Sequence, residues 1–258
     1  MRSRAGRANL GREAFHLKKA IVQPAVRRVT RIKPASRALA PDERYDANID
    51  HILRAAAAVF AEKSFGLATI RDIAARARIS FPRIYYYLRN KEEILYLISR
   101  RAFEALLRRA EQAARSAPDA ETRMREFIAA HLEYHMGNLA EMKVLVREAD
   151  SLSGRYQNDI ARLKREYSRM CRKLLDQLAE ERGAPLDRER SRIITSLLFG
   201  AMNWFYTWYE PGRDFEQRAR IMDEVYFMVE GAIEDRHPTS APQLPKSVRP
   251  ISVSPQKP

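Results

Sequence analysis

The segment Ser80–Leu88 holds the side chains with the most specific chemistry in this sequence. It reads SFPRIYYYL, so one arginine and three consecutive tyrosines stand within nine residues. An arginine guanidinium can donate two parallel hydrogen bonds to O6 and N7 of guanine, and tyrosine hydroxyls can reach phosphates. The segment therefore predicts a nucleic-acid contact in which Arg83 reads a base and some of the tyrosines hold the phosphate backbone.

Two short helices are predicted to precede this segment. Apolar residues recur from Ile49 to Phe60 at helical spacing, and Asp46 is a plausible N-cap for that helix. The second helix opens at Thr69, because Thr69-x-x-Asp72 resembles a capping box with Asp in place of Glu.

The segment itself is predicted to be a third helix. Ser80 can cap it, Pro82 is tolerated in its first turn, and Ile84 and Leu88 would face the core. Asn90 can then cap a fourth, longer helix. Three short helices, the last two joined by a tight turn, form a helix-turn-helix at about residues 46–100. The third helix would lie in the major groove, with Phe81, Pro82 and Arg83 toward the base edges.

The charge of the chain favours a polyanionic partner. The net charge is +14, and residues 1–45 hold twelve Lys/Arg against three Asp/Glu. Nucleic acid is the natural partner of such a field, and anionic lipid is second. Three prolines interrupt residues 1–45, so we interpret them as a disordered basic arm. A transit peptide, or translation from an upstream start, would have a similar composition.

The composition predicts an all-α protein that acts in the cytoplasm. Strand-favouring runs are scarce, and Ala, Leu, Arg and Glu abound. A single cysteine, Cys171, excludes an internal disulfide and a multi-cysteine zinc site, and it suits a reducing compartment. No apolar signal core is present, and the longest uncharged run, Ile193–Tyr209, is too short to span a membrane. Residues 237–258 hold six prolines and predict a disordered tail.

At the helix-turn-helix the sequence resembles the DNA-binding domain of the tetracycline-repressor (TetR) family. The resemblance lies in Phe60-Ala-Glu-Lys63, Thr69-Ile-Arg-Asp-Ile-Ala74, Ile79-Ser80 and the run Ile84–Ile94, about 50 residues in register. It implies an all-helical homodimer whose divergent C-terminal domain, here residues 101–236, binds a small effector and so releases DNA. By this resemblance the DNA-contacting positions are Thr69, Ser80, Phe81, Pro82, Arg83, Tyr85, Tyr86 and Lys91.

Three positions depart from the family's usual pattern. Ser64 and Arg78 stand where glycine is common, at helix ends where left-handed backbone geometry favours it. A residue other than glycine at either of these two positions is expected to lower the free energy of unfolding by about 1 kcal/mol. Phe81 replaces a residue that is often polar or basic, and its ring could pack on a thymine methyl.

The C-terminal part predicts five further helices, at about 119–136, 139–150, 155–182, 187–209 and 214–235. Helix 187–209 is apolar on nearly every side, so burial on all sides is expected. The last helix has two apolar stripes. Together these two helices are expected to form a four-helix interface across a two-fold axis, which would place two recognition helices about 34–36 Å apart.

The segment Phe199–Gly212 is similar to a subgroup of these regulators that respond to acyl-coenzyme A thioesters. The shared pattern is Gly-x-x-Asn-Trp-x-x-x-Trp-Tyr-x-Pro-Gly. It implies an acyl-CoA effector, and the candidate effector-binding residues are Phe127, His131, Arg147, Trp204 and Trp208. Alternatively, the two tryptophans belong to the interface core.

Other interpretations of the remaining candidates stay open. His131 and His135 stand at i and i+4, which fits a metal pair, a polar edge of the effector cavity or a surface pair. Arg147 and Glu148 fit a ligand contact or a solvated surface pair. Cys171 fits an inert buried thiol better than a redox sensor. No cofactor or bound metal is expected.

These patterns predict a homodimeric transcriptional repressor that binds a palindromic DNA operator. The alternative is an architectural DNA-binding protein without an effector, whose basic arm binds any sequence. The sequence has no nucleophile–base constellation and no Gly-rich phosphate loop, so an enzyme is not expected.

Overall fold

The structure, a computed structural model, describes residues 41–116, 118–209 and 215–234, and these are helical throughout with no strand. The predicted all-α fold class is confirmed. The described residues belong to one compact unit. The helices are α1 Pro41–Leu67, α2 Ile70–Ala77, α3 Phe81–Tyr87, α4 Lys91–Ser116, α5 Ala120–Gly137, α6 Leu139–Glu148, α7 Gly154–Glu181, α8 Arg188–Asn203 and α9 Phe215–Glu234, with 3-10 turns at Ala149–Ser151 and Trp204–Thr207.

The N-terminal helices begin where their capping residues predict, with one exception. Thr69 and Asp72 form the capping box of α2, and the Asn90 side chain accepts the Glu93 amide at 2.8 Å. Asp46 is not an N-cap, because α1 begins five residues earlier at Pro41, whose missing N–H costs nothing in a first turn. Residues 1–40, which hold most of the predicted arm, and the predicted tail 237–258 lie outside the described residues.

Ser64 and Arg78 both adopt positive φ, as their glycine-like positions predict. Ser64 has φ 67° and ψ 158° and kinks α1 near its end, and Arg78 has φ 55° and ψ 41° as the C-cap of α2. No other described residue except glycine has a positive φ. The turns around the helix-turn-helix are therefore held at some backbone cost.

The core runs continuously from the helix-turn-helix into the C-terminal helices. Helix α1 packs on α2, α4 and α6, and α4 continues past the third helix to pack on α5 and α7. Arg101 of α4 forms an ion pair with Asp50 of α1. The 26-residue helix α4 therefore packs both on α1, beside the helix-turn-helix, and on the C-terminal helices.

Helix α8 departs from its predicted length and burial. The α-helix ends at Asn203 and gives way to a 3-10 turn, whereas the spacing of apolar residues predicted helix to 209. One side is exposed, with Leu197 66%, Trp204 62% and Trp208 56% accessible. Burial on all sides is thus wrong within one chain, because only the side with Ile194 and Leu198 packs on the core. No described helix is long and apolar enough to cross a membrane.

Candidate nucleic-acid interface and effector site

Helix α3 has one buried side and one exposed side. Ile84 and Leu88 are buried, as their spacing predicts. The exposed residues are Ser80, Phe81, Pro82, Arg83, Tyr85 and Tyr86. Ser80 occupies the N-cap position, but its hydroxyl makes no capping hydrogen bond, contrary to expectation. That hydroxyl and the Arg83 guanidinium are therefore both available to a ligand in front of the first turn.

Aromatic contacts orient the side chains of α3. The Phe81 ring meets the Tyr85 ring edge-on at 5.2 Å, and the guanidinium carbon of Arg71 in α2 lies 5.7 Å from the Phe81 ring centre. Tyr45 of α1 contacts the Tyr87 ring at 5.1 Å. Sequence reasoning did not single out Arg71 or Tyr45. Arg71 stands exposed one position into α2, so the capping box at Thr69 could have indicated it.

Thr69 is exposed, yet its hydroxyl is already engaged. It accepts the Asp72 amide at 3.2 Å and donates to the Asp72 carboxylate at 2.8 Å. Lys63 also donates to Asp72, at 2.7 Å. These bonds, that of Lys63 first, lower the pKa of Asp72 to about 2. The network fixes the start of α2, where the first backbone amides have no helical partners.

Lys91 differs from its predicted role as a phosphate contact. Its ammonium donates to the carbonyls of Phe65 at 2.7 Å, Ala68 at 3.1 Å and Gly66 at 3.3 Å. It also lies 4.5 Å from the centre of the Phe65 ring. An ammonium group has three N–H donors, and each has a carbonyl here. Lys91 therefore closes the end of α1, because that end leaves carbonyls without helical partners.

Phe127 and His131 of α5 lie in an interior aromatic cluster. His131 is 1% exposed, and its Nδ1 shares a hydrogen bond of 3.2 Å with the Tyr167 hydroxyl. Phe127 stacks on the Tyr167 ring at 5.2 Å, and Phe199 of α8 lies 6.0 Å from His131. Burial lowers the pKa of His131 to about 3, so the ring is neutral at pH 7.

His135 extends this cluster by one helical turn. It is fully buried, its ring lies parallel to that of Tyr206 at 6.3 Å, and Phe205 meets it edge-on at 5.6 Å. Burial lowers the pKa of His135 to about 4. A surface pair is thus wrong for the two histidines, and no group of three metal-ligating side chains occurs among the described residues.

Cys171 is an interior residue with a poorly reactive thiol. It is buried without a disulfide partner, and burial raises its pKa to about 12. A thiol that stays protonated at pH 7 reacts slowly, in line with the prediction of an inert group.

The other three candidate effector residues lie outside the buried cluster, although the rings of Trp204 and Trp208 contact Tyr206 and Phe205 at its edge. Arg147 is exposed on α6. Trp204 and Trp208 line a cleft of about 820 Å³ whose other wall is α9, with Ile221, Val225 and Met228. The five candidates therefore do not form one site. The sequence could not show this, because helical spacing does not indicate which side of the turn after α8 faces the core. Both tryptophans are largely exposed in the single chain, and their assignment to an interface core stays a prediction.

Comparison with known families agrees with this geometry. Residues 52–96 match the model of bacterial regulatory proteins of the tetR family, and residues 117–223 match that of the tetracyclin repressor-like C-terminal domain. The two models together cover more than half of the chain. The chain belongs to the TetR family. It is accordingly a DNA-binding transcriptional regulator, and α2 and α3 are its helix-turn-helix.

Solved structures of TetR-family regulators share this fold. A TetR-family transcriptional regulator from Bordetella parapertussis 12822 is 26% identical with a TM-score of 0.65, over 72% of this chain and 94% of that one. The ketosteroid regulator KstR2 of Mycobacterium tuberculosis is 24% identical with a TM-score of 0.64, over the same shares. AibR, solved with isovaleryl coenzyme A and operator DNA, is 20% identical with a TM-score of 0.59, over 68% and 95%. No curated protein matches the sequence.

This TetR-family chain also has a basic groove that sequence reasoning missed. The groove, of about 620 Å³, lies between α4, α5 and α7, and its basic residues are Arg115, Arg123, Arg169 and Lys173. Glu111 and Glu166 also line it, while Ala114, Met170 and Leu174 give it apolar walls. Residues from three helices meet here, so no single-helix pattern could indicate it.

Proposed function

We propose that this regulator is a homodimeric repressor that acts in the cytoplasm and binds a palindromic operator through residues 46–100. In this proposal residues 101–236 dimerise and bind a small effector, an acyl-CoA thioester, which releases the DNA. The exposed first turn of α3, with Arg83 held above buried Ile84 and Leu88, is the observation that carries the proposal.

Each exposed group of α3 suits one kind of DNA contact. Arg83 reads a guanine, and Phe81 with Pro82 meets a thymine methyl beside it. The uncapped Ser80 hydroxyl, together with Tyr85 and Tyr86, binds phosphates that flank the read bases. Thr69 caps the N-terminal end of α2, whose backbone amides would bind a phosphate. Lys91 instead stabilises the domain through its hydrogen bonds to backbone carbonyls.

The outer side of α8 and α9 supports dimerisation. Its exposed apolar residues are Ile193, Leu197, Trp204, Trp208, Phe227 and Met228. A patch of this extent, on neighbouring helices, is typical of a protein interface. A second copy of the chain covers it in the proposed dimer, since an isologous contact between two helix pairs sets the spacing of the two recognition helices.

Two features of the C-terminal helices support an acyl-CoA effector. The side chains around Phe127 and His131 are buried and largely aromatic, an environment that suits an acyl chain. The basic groove begins one helical turn from it, since Arg123 precedes Phe127 by four residues and Met170 follows Tyr167 by three. Its cations suit the phosphates of coenzyme A. AibR, which shares the fold, binds isovaleryl coenzyme A.

Fluorescence anisotropy with the full chain tests both parts of this proposal. Fragments of its own promoter region are titrated at fixed salt, with scrambled DNA as the competitor, and octanoyl-CoA is then added. We expect binding at least 10³-fold tighter than to scrambled DNA, and release by the thioester. Equal affinity for all sequences would favour the architectural alternative. Specific binding that no acyl-CoA from two to sixteen carbons releases would contradict the effector.

A further inference from the structure

His131 and His135 hold three buried ring nitrogens that make no hydrogen bond. They are Nε2 of His131 and both Nδ1 and Nε2 of His135. A buried polar atom without a partner destabilises the folded state, because it loses its hydrogen bonds to water without replacement. Most buried polar groups in proteins are satisfied, so two neighbouring exceptions on one helix face need a reason. Binding of a ligand that supplies the missing partners is such a reason.

The surroundings of the pair are mostly aromatic and uncharged, and Asn203 is a polar residue that bears on both imidazoles. Rings of four residues lie against the two imidazoles, namely Tyr167, Phe199, Phe205 and Tyr206, and Phe127 stacks on Tyr167. Desolvation is the largest cause of the lowered pKa of both histidines, so both are neutral at pH 7. A neutral imidazole offers one N–H donor and one acceptor nitrogen. A carboxylate placed here would be buried without a counter-ion, at high cost.

Side chains at the end of α8 and in the turn after it cover His131 and His135. Phe199 and Tyr206 are only half-buried, although their rings lie near His131 and His135. Tyr206 belongs to the 3-10 turn Trp204–Thr207, a short element with weaker hydrogen-bond geometry than an α-helix. A shift of this turn would expose the ring nitrogens to an entering group without unfolding α5 or α7.

We propose that His131 and His135 anchor a neutral hydrogen-bonding group of the effector, a carbonyl or a hydroxyl, at the buried end of its site. A thioester carbonyl belongs to this class, and a free carboxylate does not. The inference rests on the proposed function only in that an effector binds within this domain.

Thermal melting of His135→Leu without ligand tests the first consequence. Removing two orphan nitrogens should raise the melting temperature by about 2–4 °C, since the cost of burying them without partners is relieved. His51→Leu is the matched control, because the His51 Nε2–H donates to the Ala77 carbonyl at 2.7 Å. It should melt below the wild type. If His135→Leu does not fold, His135→Phe, which keeps a ring against Tyr206, takes its place. A lower melting temperature in both His135 variants would overturn the proposal.

Matched eight-carbon probes test the ligand class. Octanamide should raise the melting temperature of the wild type, while octanoate at the same concentration should not. His131→Leu and His135→Leu should each weaken octanamide at least tenfold, and His51→Leu should leave its affinity unchanged. An equal or larger shift with octanoate, or none with octanamide, would overturn the proposal. Operator binding without ligand is measured in the same variants, so a failure of the repressor function would be seen separately.

Discussion

Ser64 and Arg78 adopt the unfavourable backbone angles that the turns before and after α2 require. Ser64 lies near φ 67° and ψ 158°, a region that residues other than glycine rarely enter. Arg78 takes the left-handed C-cap geometry at φ 55°. The two residues stand in the turns before and after α2, so both turns of the helix-turn-helix region carry a backbone cost.

Glycine at either position should therefore stabilise the protein. We expect Ser64→Gly and Arg78→Gly each to raise the free energy of unfolding by about 1 kcal/mol, since the relieved strain exceeds the extra entropy of an unfolded glycine. Urea denaturation with an unchanged m-value measures this. Arg165→Gly, in the middle of α7, is the control and should lose about 1 kcal/mol. Losses in all three variants would show that neither turn is strained.

Caps and backbone angles that depend only on neighbours in sequence could be predicted. The Thr69–Asp72 capping box and the positive φ at Arg78 follow from local patterns, and both are present. The burial of His131 and His135 did not follow, because the same spacing on a helix suits a surface pair and an interior pair equally. Only the packing of Tyr167 and Phe199 against α5 decides between them.

At the scale of elements, Lys91 joins the start of α4 to the end of α1. Its ammonium meets three carbonyls of residues 65–68, where the kink at Ser64 has broken the helical pattern. The contact links the helix that precedes the helix-turn-helix to the long helix that leaves it. Removing the charge should loosen this link more than it weakens DNA binding.

Lys91→Met tests this structural role. The side chain keeps its apolar stem over the Phe65 ring but loses all three donors. We expect the free energy of unfolding to fall by about 1.5 kcal/mol, since hydrogen bonds of charged donors are worth that much or more. The slope of log affinity for DNA against log salt should stay unchanged. Unaltered stability with a slope reduced by about one would instead identify Lys91 as a phosphate contact.

Helix positions were predictable, but the end of α8 was not. Glycine or proline lies at the ends of α5 and α7 and before α8, so periodicity located these helices to within a few residues, except at residues 204–209. There the aromatic residues keep helical spacing while the backbone tightens into a 3-10 turn. Phe205 and Tyr209 stack at 4.5 Å inside, and Trp204 and Trp208 point outward. Contacts in three dimensions therefore set the end of this helix.

At the scale of the whole molecule, the outer face of α8 and α9 shows what sequence patterns leave open. An apolar helix side predicts burial, but it does not tell whether the same chain or a second copy provides the cover. Leu197 and Met228 are exposed in the single chain. In the proposed dimer, burial by a second copy would reconcile the predicted and observed environments.

Leu197→Glu should therefore disrupt the proposed dimer. A charge buried at an apolar interface is costly, so we expect a monomer at micromolar concentration and weaker operator binding with an unchanged helical content. Leu67→Glu is the matched control, because Leu67 is 78% exposed at the end of α1. Sedimentation equilibrium should find it dimeric. A dimer in both variants would place the interface elsewhere.

The central claim, that α3 reads DNA through Arg83, is tested most directly by operator binding of Arg83→Ala. The wild type, Arg83→Ala and the control Arg165→Ala, an equal loss of charge on α7, are titrated at one salt concentration against the operator and its single-base variants. We predict that Arg83→Ala loses about 1–3 kcal/mol and its preference at one base pair in each half-site, while Arg165→Ala binds like the wild type. Equal weakening of Arg83→Ala on every sequence, with all base preferences retained, would contradict the account.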